Sequence, residues 1–157
     1  MKAPRTARAA AVLYALWGVA HIVGGVYQVL TLRRGGGEAL TALIASALPV
    51  VPAATAIPGP AAAFMGMGAA NIAVIGALVT AVALLNWRNS GTGYWVNLLL
   101  VASVDLNLFA FLLAPGFMAW TDGIVGLALF VPAAILSTHA RLSSRSRTVS
   151  ALTAALS

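Results

Sequence analysis

Long runs of apolar residues, separated by short polar and turn-forming stretches, make up most of the chain. Four of these runs are long enough to cross a bilayer, because a transmembrane helix needs about 20 mostly apolar residues at about 1.5 Å each. They cover residues 9–32, 60–86, 93–114 and 118–140. The stretches between them contain arginine, glycine and proline, which favour turns. The pattern predicts an all-α integral membrane protein, a compact bundle of four transmembrane helices.

The segment between the first two runs, residues 33–59, does not repeat this pattern. It opens with two arginines and three glycines and continues into a short helical pattern over residues 38–48. Three prolines interrupt residues 49–58, and proline breaks the hydrogen bonding of a helix interior. On the pattern alone, the segment is a fifth span, a re-entrant helix or a short helix at the membrane surface.

The distribution of charge decides between these alternatives. Basic residues occur only outside the four runs, and with four spans seven of them fall on one side of the membrane and two on the other. Five spans give six and three. Positive residues concentrate on the cytoplasmic side of membrane proteins. We therefore expect four spans, an outer loop over residues 33–59 with a short proline-interrupted helix, and two basic cytoplasmic ends, residues 1–8 and 141–157.

Composition agrees with a membrane location and indicates which classes of molecule the protein binds. The chain is 61% apolar and 8% charged, with a mean hydropathy of +0.97 and a net charge of +6. The placement of the basic residues is typical of topology signals and anchors to anionic lipid headgroups. We expect membrane lipids as partners and no nucleic acid. The absence of cysteine excludes disulfides and thiolate chemistry.

Small residues recur four apart along the second span, at Ala69, Ala73, Ala77 and Ala81. In lipid, such a ladder lets two helix backbones approach closely. It predicts a central helix that packs against other helices of the same chain, or against a second copy of the protein in a homo-oligomer.

Several markedly polar side chains lie inside the predicted spans: His21, Gln28, Asn71, Asp105, Asn107 and Asp122. Counted from the outer span boundaries at about 1.5 Å per residue, His21, Asn71 and Asp105 lie about 14 to 16 Å deep. Three helices thus place a polar group near the same plane. Because the other three residues lie shallower, we expect the set to line a pocket that opens outward.

One face of the first span carries aromatic and polar residues together. Tyr14, Trp17, His21 and Gln28 recur at spacings of three, four and seven, which places them along one stripe. The aromatic pair either shapes a binding pocket or simply fills the core, as aromatic residues at this spacing commonly do. On the third span, Asn97 shares a face with Asp105.

Asp105 is the most informative of these residues, since acidic residues in spans mark substrate paths, proton relays or ligand sites. No lysine or arginine lies in any predicted span, so His21 is the only side chain expected to supply a countercharge. Asp105 is then either protonated or shares a proton with His21. A structural alternative is an interhelical hydrogen bond that involves Asn71.

Two classes of function are consistent with these residues. The first is a membrane-embedded enzyme that isomerises or cyclises an isoprenoid- or lipid-like substrate, a hydrophobic or amphipathic small molecule. Asp105 would be the general acid and His21 its partner or the base, with the other polar and aromatic side chains binding the substrate. The second class uses the same residues without covalent chemistry, in ligand binding, proton relay, transport or an accessory subunit.

Other chemistries lack the residues that they require. No three metal ligands converge, because His139 lies at the far end of the fourth span and Glu38 in the outer loop. We therefore expect neither a metal nor another cofactor. Ser103 lies two residues from Asp105 and so on a different helix face, which argues against a serine nucleophile. No stretch carries a motif specific enough to name a family.

Overall fold

The fold is built almost entirely from α-helices. The computed structural model describes residues 4–48 and 57–156, with side chains up to Ser146 and at Thr153. The helices are α1 (Arg5–Ile44), α2 (Gly59–Trp87), α3 (Gly91–Leu108) and α4 (Trp120–Leu156), and a π-helical turn (Phe109–Leu113) continues α3. No strand occurs in the described part of the chain. The predicted all-α class is confirmed.

Four helices of the described ranges are long and apolar enough to span a membrane. They are Arg5–Ile44, Gly59–Trp87, Gly91–Leu113, which combines α3 with the π-helical turn, and Trp120–Ser146. Their number and order match the four predicted spans, and their packing is that of a four-helix bundle. The protein is therefore a multi-pass membrane protein by the length and apolar composition of its helices.

The first helix continues past its predicted span through a kink at Gly36. Gly36 has φ 70° and ψ −169°, a backbone conformation that residues with a Cβ atom rarely adopt. The kink separates the long part of α1 from a short helical segment that ends at Ile44. This segment packs on the start of α2, where the Thr41 hydroxyl lies 4.0 Å from the Met65 sulfur. It is the short helix expected in the outer loop.

The residues that follow this short helical segment are attached to the start of α4. The Ser46 hydroxyl donates a hydrogen bond to Asp122 and accepts one from the Ala119 backbone N–H at 3.1 Å. The Ala47 N–H donates to the Phe117 carbonyl oxygen at 3.1 Å. Helix α1, the loop and α4 are thereby joined at one end of the bundle. At the other end α4 continues as a helix to Leu156, through the residues expected to form a separate basic tail.

Helices α1 and α2 pack through small residues on both sides. A Cβ atom at Gly25 would lie 2.6 Å from the Ala69 carbonyl oxygen and 2.7 Å from the Ala73 backbone nitrogen. A Cβ at Gly18 would lie 2.5 Å from the Gly76 carbonyl oxygen. Backbones can approach this closely only where a side chain is missing. Part of the alanine ladder of the second span thus packs within the chain.

The remainder of that ladder points away from the bundle. Ala77 and Ala81 are exposed on α2. A homo-oligomer that uses this part of the helix stays a prediction.

Every helix contributes to the buried core of the bundle. Its buried members are Tyr14, Trp17, Val79, Ala83, Val101 and Ala133. The two aromatic side chains of α1 supply most of its volume. The core therefore holds α1 in one rotation about its axis.

Gly25 and Gly24 provide a matched test of the α1–α2 contact. Gly25→Ala should lower the free energy of unfolding by about 1 to 3 kcal/mol, because its new Cβ would overlap the α2 backbone. At Gly24 no atom lies within 4 Å of such a Cβ, so Gly24→Ala should be neutral or stabilise by about 0.5 to 1 kcal/mol. Denaturant unfolding of both variants in detergent micelles, followed by circular dichroism, measures the difference. Equal effects would contradict this packing.

Candidate functional site

One face of α3 turns its polar residues into the bundle. Gly93, Asn97, Val101 and Asp105 follow one another at intervals of four residues, and all are buried. A spacing of four keeps side chains on neighbouring parts of a helix face. The sequence of this face therefore places an amide and a carboxyl group in the protein interior.

Asp105 is held by an indole N–H. Its side chain is 1% exposed, and Trp17 Nε1 donates a hydrogen bond to its Oδ1 at 3.3 Å. The second oxygen, Oδ2, is buried and makes no hydrogen bond within the described part of the chain. One oxygen is thus fixed in position, and the other is left for a proton or a ligand.

His21 lies against the ring of the same tryptophan. The two ring centroids are 3.6 Å apart with an interplanar angle of 18°. His21 Nδ1 lies 2.8 Å from the Trp17 carbonyl oxygen. Because a carbonyl oxygen only accepts, Nδ1 carries the proton of the neutral ring and Nε2 is left as a basic acceptor. His21 is half-buried, so this group lies closer to the bundle surface than Asp105 does.

Gly126 of α4 is the point on which the three side chains converge. A Cβ atom there would lie 3.1 Å from Asp105 Oδ1, 3.5 Å from Trp17 Nε1 and 3.6 Å from His21 Cε1. The carboxyl and imidazole groups therefore lie within about 7 Å of each other, given these two distances from one point. We call Trp17, His21 and Asp105 the Asp–Trp–His cluster.

A proton-sharing pair of Asp105 and His21, one of the two states expected for the carboxyl group, is not present as a direct contact. No hydrogen bond joins the two side chains among the described residues; Trp17 lies between them, bonded to one and stacked on the other. The partners expected for the carboxyl group were His21 and Asn71, and Trp17 was not among them. A neutral donor is sufficient, and a buried indole N–H itself requires an acceptor.

Asn71 does not join the cluster. It lies on the exposed face of α2, because the opposite face packs Ala69, Ala73 and Gly76 against α1. The α2 residue beside His21 is Gly76, whose added Cβ would lie 3.1 Å from the His21 Cβ, five positions after Asn71.

Three further polar residues were expected to line an outward-opening pocket, and they too lie outside the Asp–Trp–His cluster. Asn107 is exposed, and its amide donates to the Ser103 carbonyl oxygen of its own helix at 2.8 Å. Asp122 is exposed and bonded to Ser46. Gln28 is half-buried, two turns along α1 from His21. Asn107 and Asp122 thus have local partners elsewhere.

Buried polar groups continue beyond the cluster along the same side of the bundle. Asn97 is fully buried, and neither its amide oxygen nor its nitrogen has a hydrogen-bond partner among the described residues. Tyr14 is also fully buried, and its hydroxyl lies beside Ser137 of α4 but outside hydrogen-bonding geometry. The shared face of Asn97 and Asp105 was predictable from their spacing. The role of Gly126 was not, since a glycine in an apolar span carries no signal of its own.

The described residues contain no group of three or more histidine, cysteine, aspartate or glutamate side chains arranged to hold a metal ion. The chemistry that the cluster itself offers is therefore that of a carboxyl group, an indole N–H and an imidazole.

The comparisons with known proteins assign no family to the chain. No protein-family model matches the chain, and neither a curated protein nor a solved structure matches it.

The Trp17–Asp105 hydrogen bond can be measured by a double-mutant cycle. Trp17→Phe and Asp105→Ala should each destabilise the bundle, and their effects should be coupled by about 1 kcal/mol, within the range found for interhelical hydrogen bonds in membranes. Unfolding in mixed micelles of the two single variants and the double variant gives this coupling. Trp95 is 54% exposed, so the control pair Trp95→Phe and Asp105→Ala should be additive within about 0.5 kcal/mol. Additivity of the first pair would contradict the bond.

Proposed function

We propose that the Asp–Trp–His cluster is an acid–base site that acts on an isoprenoid- or lipid-like substrate inside the membrane. The observation that carries this proposal is the unequal environment of the two Asp105 oxygens. Oδ1 is held by Trp17, and Oδ2 is buried without a protein partner among the described residues. A carboxyl group in this setting can deliver a proton to a substrate from a fixed position.

The imidazole supplies the complementary base. His21 Nε2 is free to accept because Nδ1 is engaged by the backbone of its own helix. In an isomerisation, Asp105 would protonate one carbon of a double bond, which leaves a cation on the other carbon. His21 would then remove a proton from the next carbon along the substrate, so that the double bond moves by one position. The proton would then return from His21 to Asp105, so the reaction requires no net acid, base or redox partner.

The burial of the two groups indicates the direction of access. Asp105 is 1% exposed, whereas His21 is half-buried. A substrate would therefore approach past His21 from the hydrocarbon, with Tyr14 and Gln28 on the same stripe of α1. Lateral access from lipid is what a hydrophobic substrate needs, and it keeps water from a cationic intermediate.

A second function has an observation in its favour. The bond between Trp17 and Asp105 is fully buried and joins α1 to α3, as expected of a group that only stabilises the bundle or relays a proton. In that case the cluster would perform no covalent chemistry. The two functions differ in whether a proton becomes attached to carbon.

Incorporation of solvent deuterium into lipid distinguishes them without knowledge of the substrate. Membranes containing the protein are incubated in D2O, and extracted lipids are analysed by mass spectrometry for carbon-bound deuterium. The enzyme should label a lipid or isoprenoid, and Asp105→Asn should slow this labelling about 100-fold or more, the usual contribution of a general acid or base. The asparagine keeps an oxygen that can accept from Trp17, so folding should be preserved.

The matched control is Asp122→Asn, which removes a carboxylate outside the cluster and should leave labelling unchanged. Equal labelling by the wild type and Asp105→Asn would show that Asp105 is not the acid. If the wild type labels nothing, the enzyme proposal is wrong. Proton flux in liposomes that Asp105→Asn abolishes would then favour the relay, and absence of flux would favour the structural role.

We also propose that both chain ends are cytoplasmic and that the loop between α1 and α2 is outside. The support for this orientation is the division of basic residues, seven on the side of the termini and two on the other.

Single-cysteine labelling tests this orientation cleanly, because the chain has no cysteine of its own. A membrane-impermeant maleimide should label Ala53→Cys in intact cells that express the protein. It should label Ser157→Cys only after the membrane is permeabilised. The reverse pattern would show that the orientation is the opposite of the one proposed. Labelling of both positions in intact cells would contradict four spans.

A further inference from the structure

A cavity of about 160 Å³ lies between α3 and α4 at the end of the bundle that carries the N-terminus. It is lined by Tyr94, Trp95, Thr138, Arg141, Leu142 and Arg145. We call it the Arg141 pocket. Tyr94 precedes Asp105 by eleven positions on the same helix, about 16 Å along its axis at 1.5 Å per residue. The pocket is therefore separate from the Asp–Trp–His cluster.

The guanidinium of Arg141 is held in position by the turn between α2 and α3. Its Nη1 donates to the Asn89 carbonyl oxygen at 3.1 Å, and a Cβ on Gly91 would lie 2.9 Å from its Nη2. Asn89 in turn donates from its amide to the Ser144 hydroxyl at 2.7 Å. The turn between α2 and α3 is thus hydrogen-bonded to α4 at both Arg141 and Ser144. A guanidinium has five N–H donors, and the bond to Asn89 uses one.

Positive charge at this pocket is not neutralised by the carboxylates of the chain. Arg145 lies one turn beyond Arg141 on the same face of α4. The chain has three acidic residues, and each is engaged elsewhere: Glu38 accepts from the Ile57 N–H, Asp105 from Trp17 and Asp122 from Ser46. The positive charge of the pocket is therefore available to an anion from outside the chain.

The depth of the pocket indicates which anion. Trp120 begins α4 and Arg141 follows 21 residues later, about 31 Å along the helix at 1.5 Å per residue. This length matches the roughly 30 Å hydrocarbon thickness of a bilayer. Trp95 is 54% exposed beside the pocket and stacks edge-on with Tyr94, as aromatic residues do at the headgroup level. The pocket thus has a basic wall at headgroup depth and an apolar wall, formed by Trp95 and Leu142, on which lipid can lie.

We propose that the Arg141 pocket binds the phosphate of an anionic phospholipid in the leaflet at this end of the bundle. Arg141 and Arg145 contact the phosphate oxygens, for which the planar guanidinium fork is well shaped. Trp95 and Leu142 contact the glycerol and the first part of the acyl chains. The bound lipid packs between α3 and α4 next to the α2–α3 turn.

Native mass spectrometry of the detergent-solubilised full chain tests this site with phosphatidylglycerol and phosphatidylcholine as probes. The wild type should bind phosphatidylglycerol preferentially. Arg141→Gln combined with Arg145→Gln should weaken that binding about 30-fold, the loss expected when two basic side chains no longer attract one anionic headgroup. Arg145→Gln alone, at an exposed position, should weaken it about fivefold without affecting folding.

Two controls separate a built site from general electrostatics. Arg33→Gln combined with Arg34→Gln removes the same charge from the opposite end of α1 and should change binding less than threefold. Arg141→Lys combined with Arg145→Lys keeps the charge but not the fork and should give a partial loss. Equal losses for the two glutamine pairs would overturn the proposal. If inorganic phosphate competed fully and the protein showed no preference between the two lipids, the ligand of the pocket would be a soluble phosphate. That result would also overturn the proposal.

Discussion

The close contact between α1 and α2 is the constraint on which the rest of the bundle depends. Gly18 and Gly25 leave no room for a side chain between the two backbones. Because the glycines must face α2, the rotation of α1 is determined, and Trp17 and Tyr14 turn toward the interior. Hydrocarbon offers no hydrogen bonds, so a polar side chain in a span has to find its partner within the protein. The indole N–H therefore meets the carboxyl group of α3.

Periodicity and length were sufficient to predict most of the fold. Four long apolar runs correspond to four helices, and the short helix expected after the first run is present. The kink at Gly36 was harder to foresee, because any of the three consecutive glycines could have adopted the positive φ that bends the chain. The extension of α4 to Leu156 was also not predicted, since serine and arginine are polar enough to suggest a tail but do not prevent a helix.

The candidate site was predictable only in part. Spacing along one helix places Tyr14, Trp17 and His21 on one stripe, and the structure agrees. Which faces of different helices meet depends on packing between helices, and there the prediction for Asn71 was wrong. The small residues of α2 take the inner face, so the amide is left outside. Similarly, charge offered His21 as a partner for Asp105, whereas the hydrogen bond to the Asp105 side chain comes from Trp17, a neutral donor that the sequence presents as an ordinary aromatic residue.

The attachment of the outer loop to α4 has a consequence for the order in which the protein assembles. Helices α1 and α2 are neighbours in the chain and can pack as soon as both are inserted. The bonds from Ser46 to Asp122 and Ala119 join segments that are made far apart in time. The loop therefore closes only after the fourth helix has arrived, in the same step that brings Gly126 against the cluster. Closure of the loop would thus coincide with the completion of the buried cluster around Asp105.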